Sequence, residues 1–265
     1  MTHADAQPDA PASRDLAPGT FTPDPRPAPL RTMAAAQGGL EARLMLVHGE
    51  QLLLNIIIPA ALLVGTVIMP VFGDIGFGVI VPMVFAAAAT SVGFTGQAIA
   101  LAFDRRYGAL KRAGASGAPP WVIICGKIIG VLAVVAVQIL ILGALAFALG
   151  WRVGVGGALA GLATLLVGVA VFTALGLYLG GSWSPEIVLA VANLIWIVLM
   201  GTLGWVVYSF DITDAGWWYL VPSVALTGAL IDAFQLAFNA PAWLALLGWG
   251  VAGAAAAARW FRFDA

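Results

Sequence analysis

Six apolar segments, at 52–72, 78–102, 121–149, 155–180, 187–209 and 240–258, are each long enough to cross a bilayer as a helix. About 20 helical residues traverse a hydrocarbon core about 30 Å thick. Inside that core the backbone N–H and C=O groups find no water, so such segments fold as helices that close their hydrogen bonds internally. Composition agrees: 62% of residues are hydrophobic and 9% are charged, against roughly 45–50% and about 25% in soluble domains. The expected fold class is an all-α membrane protein with six transmembrane helices. The formal net charge of −1 adds groups on opposite sides of a membrane, so where the charges lie says more than their sum.

A seventh apolar stretch, WWYLVPSVALTGALIDAFQLAF at 217–238, contains Pro222 and would carry Asp232 into lipid if it crossed. The cations decide against a crossing. With six spans and the N-terminus inside, Arg14, Arg26, Arg31, Arg43, Arg105, Arg106, Lys111, Arg112, Arg259 and Arg262 all fall on the inner side, and Arg152 falls outside. Orientation follows the Lys/Arg bias of short loops. A seventh span would throw Arg259 and Arg262 outward. Residues 217–238 are therefore expected as a re-entrant or outer-surface helical pair before the last span, both termini being cytoplasmic. Trp217, Trp218 and Tyr219 then suit an interfacial aromatic belt.

Residues 1–38, rich in Pro, Asp and Ala, read as a disordered cytoplasmic tail. They hold no apolar core of the kind a signal peptide needs, which leaves the first span as the targeting signal. The membrane domain occupies 39–265. It opens with 39–50, where Leu40, Leu44 and Val47 share a helical face while Glu41, Arg43 and Glu50 point elsewhere. That pattern suits a helix on the membrane surface, or a plain extension of the first span into water.

Within the spans, Asn55, Gln97, Gln138 and Asn193 are uncharged polar groups that either bond between helices or face a solute pathway. No Asp, Glu, Lys, Arg or His lies near the middle of any of the six segments. Ion-coupled transporters commonly need an ionisable group at depth, so uphill movement of a solute here would draw its energy from outside the bilayer. His3 and His48 are the only histidines, too few for a His-based metal site or triad, and Cys125 is a lone cysteine in an apolar stretch. Gly126-Lys127 resembles the end of a phosphate loop, but Ile128 replaces the Ser/Thr and Trp121 the leading Gly. Lys127 instead suits the cytoplasmic mouth of the third span, its ammonium reaching toward headgroups or solvent.

The densest charge lies at 103–120, FDRRYGALKRAGASGAPP. On a helix Phe103, Tyr107 and Leu110 share a stripe, with Arg105 and Arg112 opposite. A short helix with one apolar and one basic face, hung between spans, can enter a groove on another protein. It can also serve simply as a positive-inside anchor. The order of Asp104-Arg105, then Gly108-x-Leu110-Lys111-Arg112, a small-residue turn with Pro119, an apolar run and Gly126-Lys127 resembles the cytoplasmic loop of type-two ABC transporter permeases, the drug-resistance and polysaccharide-export group. Many members read Glu-Arg-Glu-x-Gly-Thr-Leu there. This chain has Arg106 in place of an acid and Ala109 in place of Thr. The segment before the first span, the six spans and the Pro-containing stretch before the last one extend the likeness over about 40–260.

The resemblance implies a permease subunit of an ATP-driven exporter whose coupling loop, Phe103, Asp104, Arg105, Arg106, Tyr107, Gly108, Leu110, Lys111 and Arg112, docks on a separate ABC ATPase. Two permeases, as a homodimer or heterodimer, would work with two ATPases. ATP and Mg would be held by the ATPase, and this chain would bind no cofactor and catalyse no reaction. The expected solute is hydrophobic or amphiphilic, as in multidrug efflux. The partners are lipid and these subunits, with no nucleic acid. Abundant Ala and Gly, with Arg favoured over Lys, suit a GC-rich bacterial genome and hence a bacterial plasma membrane. An intramembrane enzyme acting on lipid or peptide, or a scaffold that transports nothing, are the other classes such a sequence admits.

Overall fold

The computed structural model describes residues 28–47, 49–68, 75–115 and 119–260. These form helices and short turns, with no strand among the described residues: α1 Leu30–Val47, α2 Gly49–Ile68, α3 Phe77–Thr90, α4 Gln97–Arg106, α5 Ala109–Ala115, α6 Pro120–Ala148, α7 Val155–Ser182, α8 Pro185–Ser209, α9 Pro222–Phe234 and α10 Ala240–Trp260. A π-helical turn, Ser91–Gly96, joins α3 to α4 into one 30-residue rod, Phe77–Arg106. That rod and the helices Trp121–Ala148, Val155–Ser182, Pro185–Ser209 and Ala240–Trp260 are long and apolar enough to cross a membrane. The first expected span appears as α2, whose stretch Asn55–Ile68 is apolar but shorter. The chain is an all-α membrane protein.

Local chemistry sets the helix starts. Pro185 and Pro222 stand in the first turns of α8 and α9, where the missing N–H has no intrahelical acceptor to lose and the fixed φ is already helical. The long helices carry small residues that bring backbones together. α7 is the central helix, flanked by α4, α9 and α10. A Cβ on Gly180 would stand 2.3 Å from the carbonyl oxygen of Ala98, and one on Gly176 would stand 2.6 Å from that of Phe94. Neither oxygen can rotate away. Close approach of this kind holds helices together in lipid, where no hydrophobic force acts between them. Gly180→Ala is therefore expected to force α4 and α7 apart at a cost of about 1–3 kcal/mol, read as a lower midpoint of thermal unfolding. Gly201→Ala, with no atom within 4 Å of the added carbon, should be neutral. Equal melting of the two variants would refute the packing argument.

The segment at 217–238 is neither a span nor a surface pair. Beyond α8 the chain passes through two 3₁₀ turns, Ile212–Asp214 and Gly216–Leu220, and then α9, a helix of 13 residues. At 1.5 Å per residue α9 is about 20 Å long, too short to cross. Ser223 Oγ donates to Leu199 O in mid-α8 at 2.9 Å, and Leu226 lies over Gly168 in mid-α7 while Phe234 reaches Gly157 and Gly161 near its start. The irregular stretch thus dips into the bundle and α9 climbs back out. Irregular backbone is tolerated at such depth only when protein covers it, and almost all of α9 is buried. Tyr219 is not part of an aromatic belt. It is 4% exposed, donates to Ile212 O at 2.7 Å and accepts from Asn239 Nδ2 at 2.9 Å. Asn239 also donates to Asp232 Oδ2 at 2.8 Å and accepts from Ala242 N at 3.0 Å, capping α10. Trp217 and Trp218 do stack face to face, with centroids 4.3 Å apart.

The N-terminal helix departs further from expectation. It starts at Leu30, inside the stretch assigned to the tail, and runs along α6 instead of ending as a free surface element. Gly38 meets Ile129, Gly126 meets Gln37, and Gly130 meets Glu41 and Met45. Leu40, Leu44 and Val47 do form an outward apolar face, but Glu41 turns inward. The remainder of the expected tail, 1–27, lies outside the described residues, as does His48.

Candidate functional site

The basic end of the bundle is where α4 stops. Tyr107 caps α4, and Gly108 at φ +69 reverses the chain into α5, a left-handed conformation that a side chain disfavours. Tyr107 N donates to Phe103 O at 2.9 Å and Gly108 N to Arg105 O at 3.1 Å, closing the turn. Because the helix breaks here, Phe103, Tyr107 and Leu110 do not form one stripe. Phe103 and Tyr107 stack at 5.9 Å, and Tyr107 is 65% exposed. Leu110 points the other way, buried with Leu101, Ile123 and Leu177.

Arg105 does not project from the surface. It is 7% exposed, and its Nη1 donates to Gly180 O and Trp183 O, both at 3.1 Å. The last carbonyls of a helix have no intrahelical donors and carry partial negative charge, which a guanidinium satisfies. Arg105 thus clamps the end of α7. Arg106 pairs with Glu186 in the first turn of α8, and both side chains are exposed, so the pair contributes little. Arg112 Nη1 donates to Tyr107 O at 2.8 Å. Arg106, Tyr107, Lys111 and Arg112 are the members of the expected docking set that face outward, Arg106 already paired with Glu186.

Asp104 belongs to a different assembly. Lys127, expected at the water, is 3% exposed and lies between two carboxylates, with Nζ 2.5 Å from Asp104 Oδ2 and 3.2 Å from Glu41 Oε1. Gln37 Nε2 donates to Glu41 at 3.2 Å. One ammonium thereby ties α1, α4 and α6 together beneath the turn. A buried lysine with no counter-charge would be too costly to keep ionised, which explains why Glu41 faces inward and why α1 lies along α6. The sequence places these partners 86 and 23 residues from Lys127. Spacing could not reveal them, although a lysine two turns inside an apolar helix signals the need for an acid.

Higher in the bundle, α2, the α3–π–α4 rod and α8 line an open cavity of about 720 Å³. Its wall is mainly apolar, with Leu62, Met83, Ile99 and Leu203 prominent; its polar residues are Asn55, Ser91, Thr95, Asn193, Trp196 and Tyr208. Of the four polar groups picked out within the spans, Asn55 and Asn193 line this cavity. The other two serve helix packing. Gln138, 2% exposed, donates to Asn55 O at 2.9 Å and joins α6 to α2, while Gln97, 1% exposed, lies 4.0 Å from Met45 Sδ. Ser91 Oγ donates to Asn55 Oδ1 at 3.3 Å, and Asn193 Nδ2 bonds within its own helix to Leu189 O at 2.7 Å. Thr95 and Trp196 were not anticipated. The one hint in the sequence is the Gly93/Gly96 pair around Thr95, where the backbone is free to widen.

The profile of the ABC-2 type transporter family matches residues 41–238. No curated protein and no solved structure shows significant similarity to the chain. The match runs from the inward-facing Glu41, through the turn after α4 and the cavity walls, to just past the end of α9. On that match, over an all-helical fold with several membrane-spanning helices, the chain belongs to the ABC-2 type transporter family as a membrane-spanning permease component of an ABC transporter.

Proposed function

We propose that the chain is the membrane half of an ATP-driven exporter of hydrophobic or amphiphilic solutes, multi-pass in a bacterial plasma membrane with both termini cytoplasmic. Two such subunits would act with two copies of a separate ATPase, which holds the ATP and Mg. The observation that carries this reading is the build of the turn at 106–112. Its inner side is fixed by Arg105 on the end of α7, by Leu110 in its cluster and by Lys127 between Asp104 and Glu41. Its outer side offers Tyr107, Lys111 and Arg112. A turn so braced transmits a push to α4, α6 and α7 instead of absorbing it. Closure of the ATPase pair on nucleotide would then shift the bundle between arrangements that differ in energy, with the cavity beside α2 and α8 as the solute's path.

The docking face is narrower than the sequence suggested, and the test follows from that. Tyr107→Ala combined with Lys111→Ala removes contact worth about 1–3 kcal/mol for the ring, so affinity for the ATPase should fall roughly 5- to 150-fold, read as the loss of co-purified ATPase. Insertion is checked with a cytoplasmic reporter fused after Ala265. If the double variant inserts and holds the ATPase as well as the parent does, the turn is only a positive-inside anchor.

A further inference from the structure

Two residues that line the cavity, Thr95 and Trp196, each carry a buried polar atom without a hydrogen-bond partner, the hydroxyl and the indole N–H. Elsewhere in the bundle, Thr90, Thr164 and Thr227 return their hydroxyls to the carbonyl four residues earlier, at 2.7, 2.9 and 2.9 Å, while Thr173 in α7, away from the cavity, shares the unpaired state. Thr95 sits in the π turn Ser91–Gly96 and makes no such bond. π turns are rare and occur often at functional sites. Trp196 comes from α8 on the other wall. An indole N–H can only donate, and a hydroxyl can donate or accept. Buried groups of this kind are costly to leave unpaired. Among the described residues lining the cavity none is charged, so a carboxylate or an ammonium would find no counter-ion among them.

We propose that Thr95 and Trp196 are the specificity-determining pair of this cavity, and that it takes an electroneutral amphiphile presenting a hydrogen-bond acceptor, such as an ester, ketone, ether or hydroxyl oxygen, on an apolar body. The proposal rests on the reading of the cavity as the solute path and adds the chemical class it admits. The oxygen receives the indole N–H and the Thr95 hydroxyl, and the apolar body lies against Leu62, Met83 and Leu203. Selection among solutes comes from the missing counter-charge, because an ionised head forfeits its hydration and gains nothing in return.

The test uses the full chain in lipid nanodiscs and three photoreactive probes with the same C12 chain, ending in a methyl ester, a carboxylate or a trimethylammonium, at equal mole fraction in the bilayer. Crosslinking sites and yields are read by mass spectrometry. The ester should label the walls of the cavity, and each charged probe should label them at least about tenfold less. Trp196→Phe, which keeps a ring but loses the N–H, and Thr95→Val, which keeps the shape but loses the hydroxyl, should each weaken ester labelling about 3- to 10-fold, the effect of one neutral hydrogen bond. Thr95→Ser should retain it, as should Trp205→Phe, an exposed position outside the cavity. Equal labelling by a charged probe, or ester labelling unchanged in both Trp196→Phe and Thr95→Val, overturns the assignment. Absence of cavity labelling while the assembled complex still transports with ATP also overturns it and leaves the exporter reading standing. The expected labelling without ATP-driven transport supports the site and removes the exporter reading.

Discussion

Lys127→Met should be among the most destabilising single substitutions in this chain, lowering stability by about 3–5 kcal/mol, the range for removing one partner of a buried ion pair. The methionine fills the volume of the lysine stem but leaves Asp104 and Glu41 facing each other. The Glu41 side chain is 16% exposed and the Asp104 side chain 35%, so Glu41 bears the larger share of the stranded charge. The triple variant Glu41→Gln, Asp104→Asn and Lys127→Met removes the charge altogether and should recover most of the loss, because an uncharged replacement of a whole buried network is often neutral. The measurement is the thermal unfolding midpoint of the purified chain, with the fraction remaining monodisperse after heating as a second readout. A single variant that melts with the parent would mean that the three groups are separately solvated and that α1 is not held by Lys127.

That network marks the boundary between what the sequence discloses and what it does not. Helix existence was legible because apolar runs of sufficient length leave the backbone no alternative in lipid, and Pro222 marked an interruption by backbone geometry alone. The turn after α4 was legible as a cluster of cations. Its sidedness was not. Arg105 was expected to project from the basic face of the loop and instead clamps α7, while Leu110 was expected in a partner's groove and fills a cluster of its own chain. The two errors have different origins. Arg105 was ranked outward by its charge, although the carbonyls that end α7 receive it. For Leu110, helical periodicity was carried through Gly108, where the positive φ ends the helix and changes the direction of every later side chain. Inward-facing Glu41 was hidden for another reason, since hydrophobic pattern ranks a glutamate as outward and cannot see a lysine 86 residues away.

The cavity was half legible. Asn55 and Asn193 were singled out as polar groups in apolar helices, and both line it. Gln97 and Gln138 have the same chemistry and the same kind of sequence context, yet they pack between helices. A polar residue in a span is explained equally well by either role, and only the position of the neighbouring helix decides. Thr95 and Trp196 escaped notice because neither is unusual in a membrane helix. What distinguishes them is the absence of a bond, which exists only in three dimensions. For the stretch at 217–238, the cation balance argued against a crossing, while the burial of α9 against α3, α7 and α10, over Gly157, Gly161 and Gly168 of α7, was not read from the sequence.

The energy source is the central claim, and it carries the second large expected effect. No span carries an ionisable group near its middle. Lys127, which lies two turns inside its helix, is held between two carboxylates and is unsuited to shuttle a proton. Transport should therefore be all-or-none in its dependence on a separate ATPase. The direct measurement is accumulation of a lipophilic fluorescent dye by inside-out vesicles containing the chain, with and without its ATPase, in ATP or in a non-hydrolysable analogue, before and after a protonophore. The account predicts dye uptake only with both the ATPase and hydrolysable ATP, unchanged when the proton gradient is collapsed. Dye uptake driven by an imposed ion gradient in vesicles that contain the chain but no ATPase would contradict it.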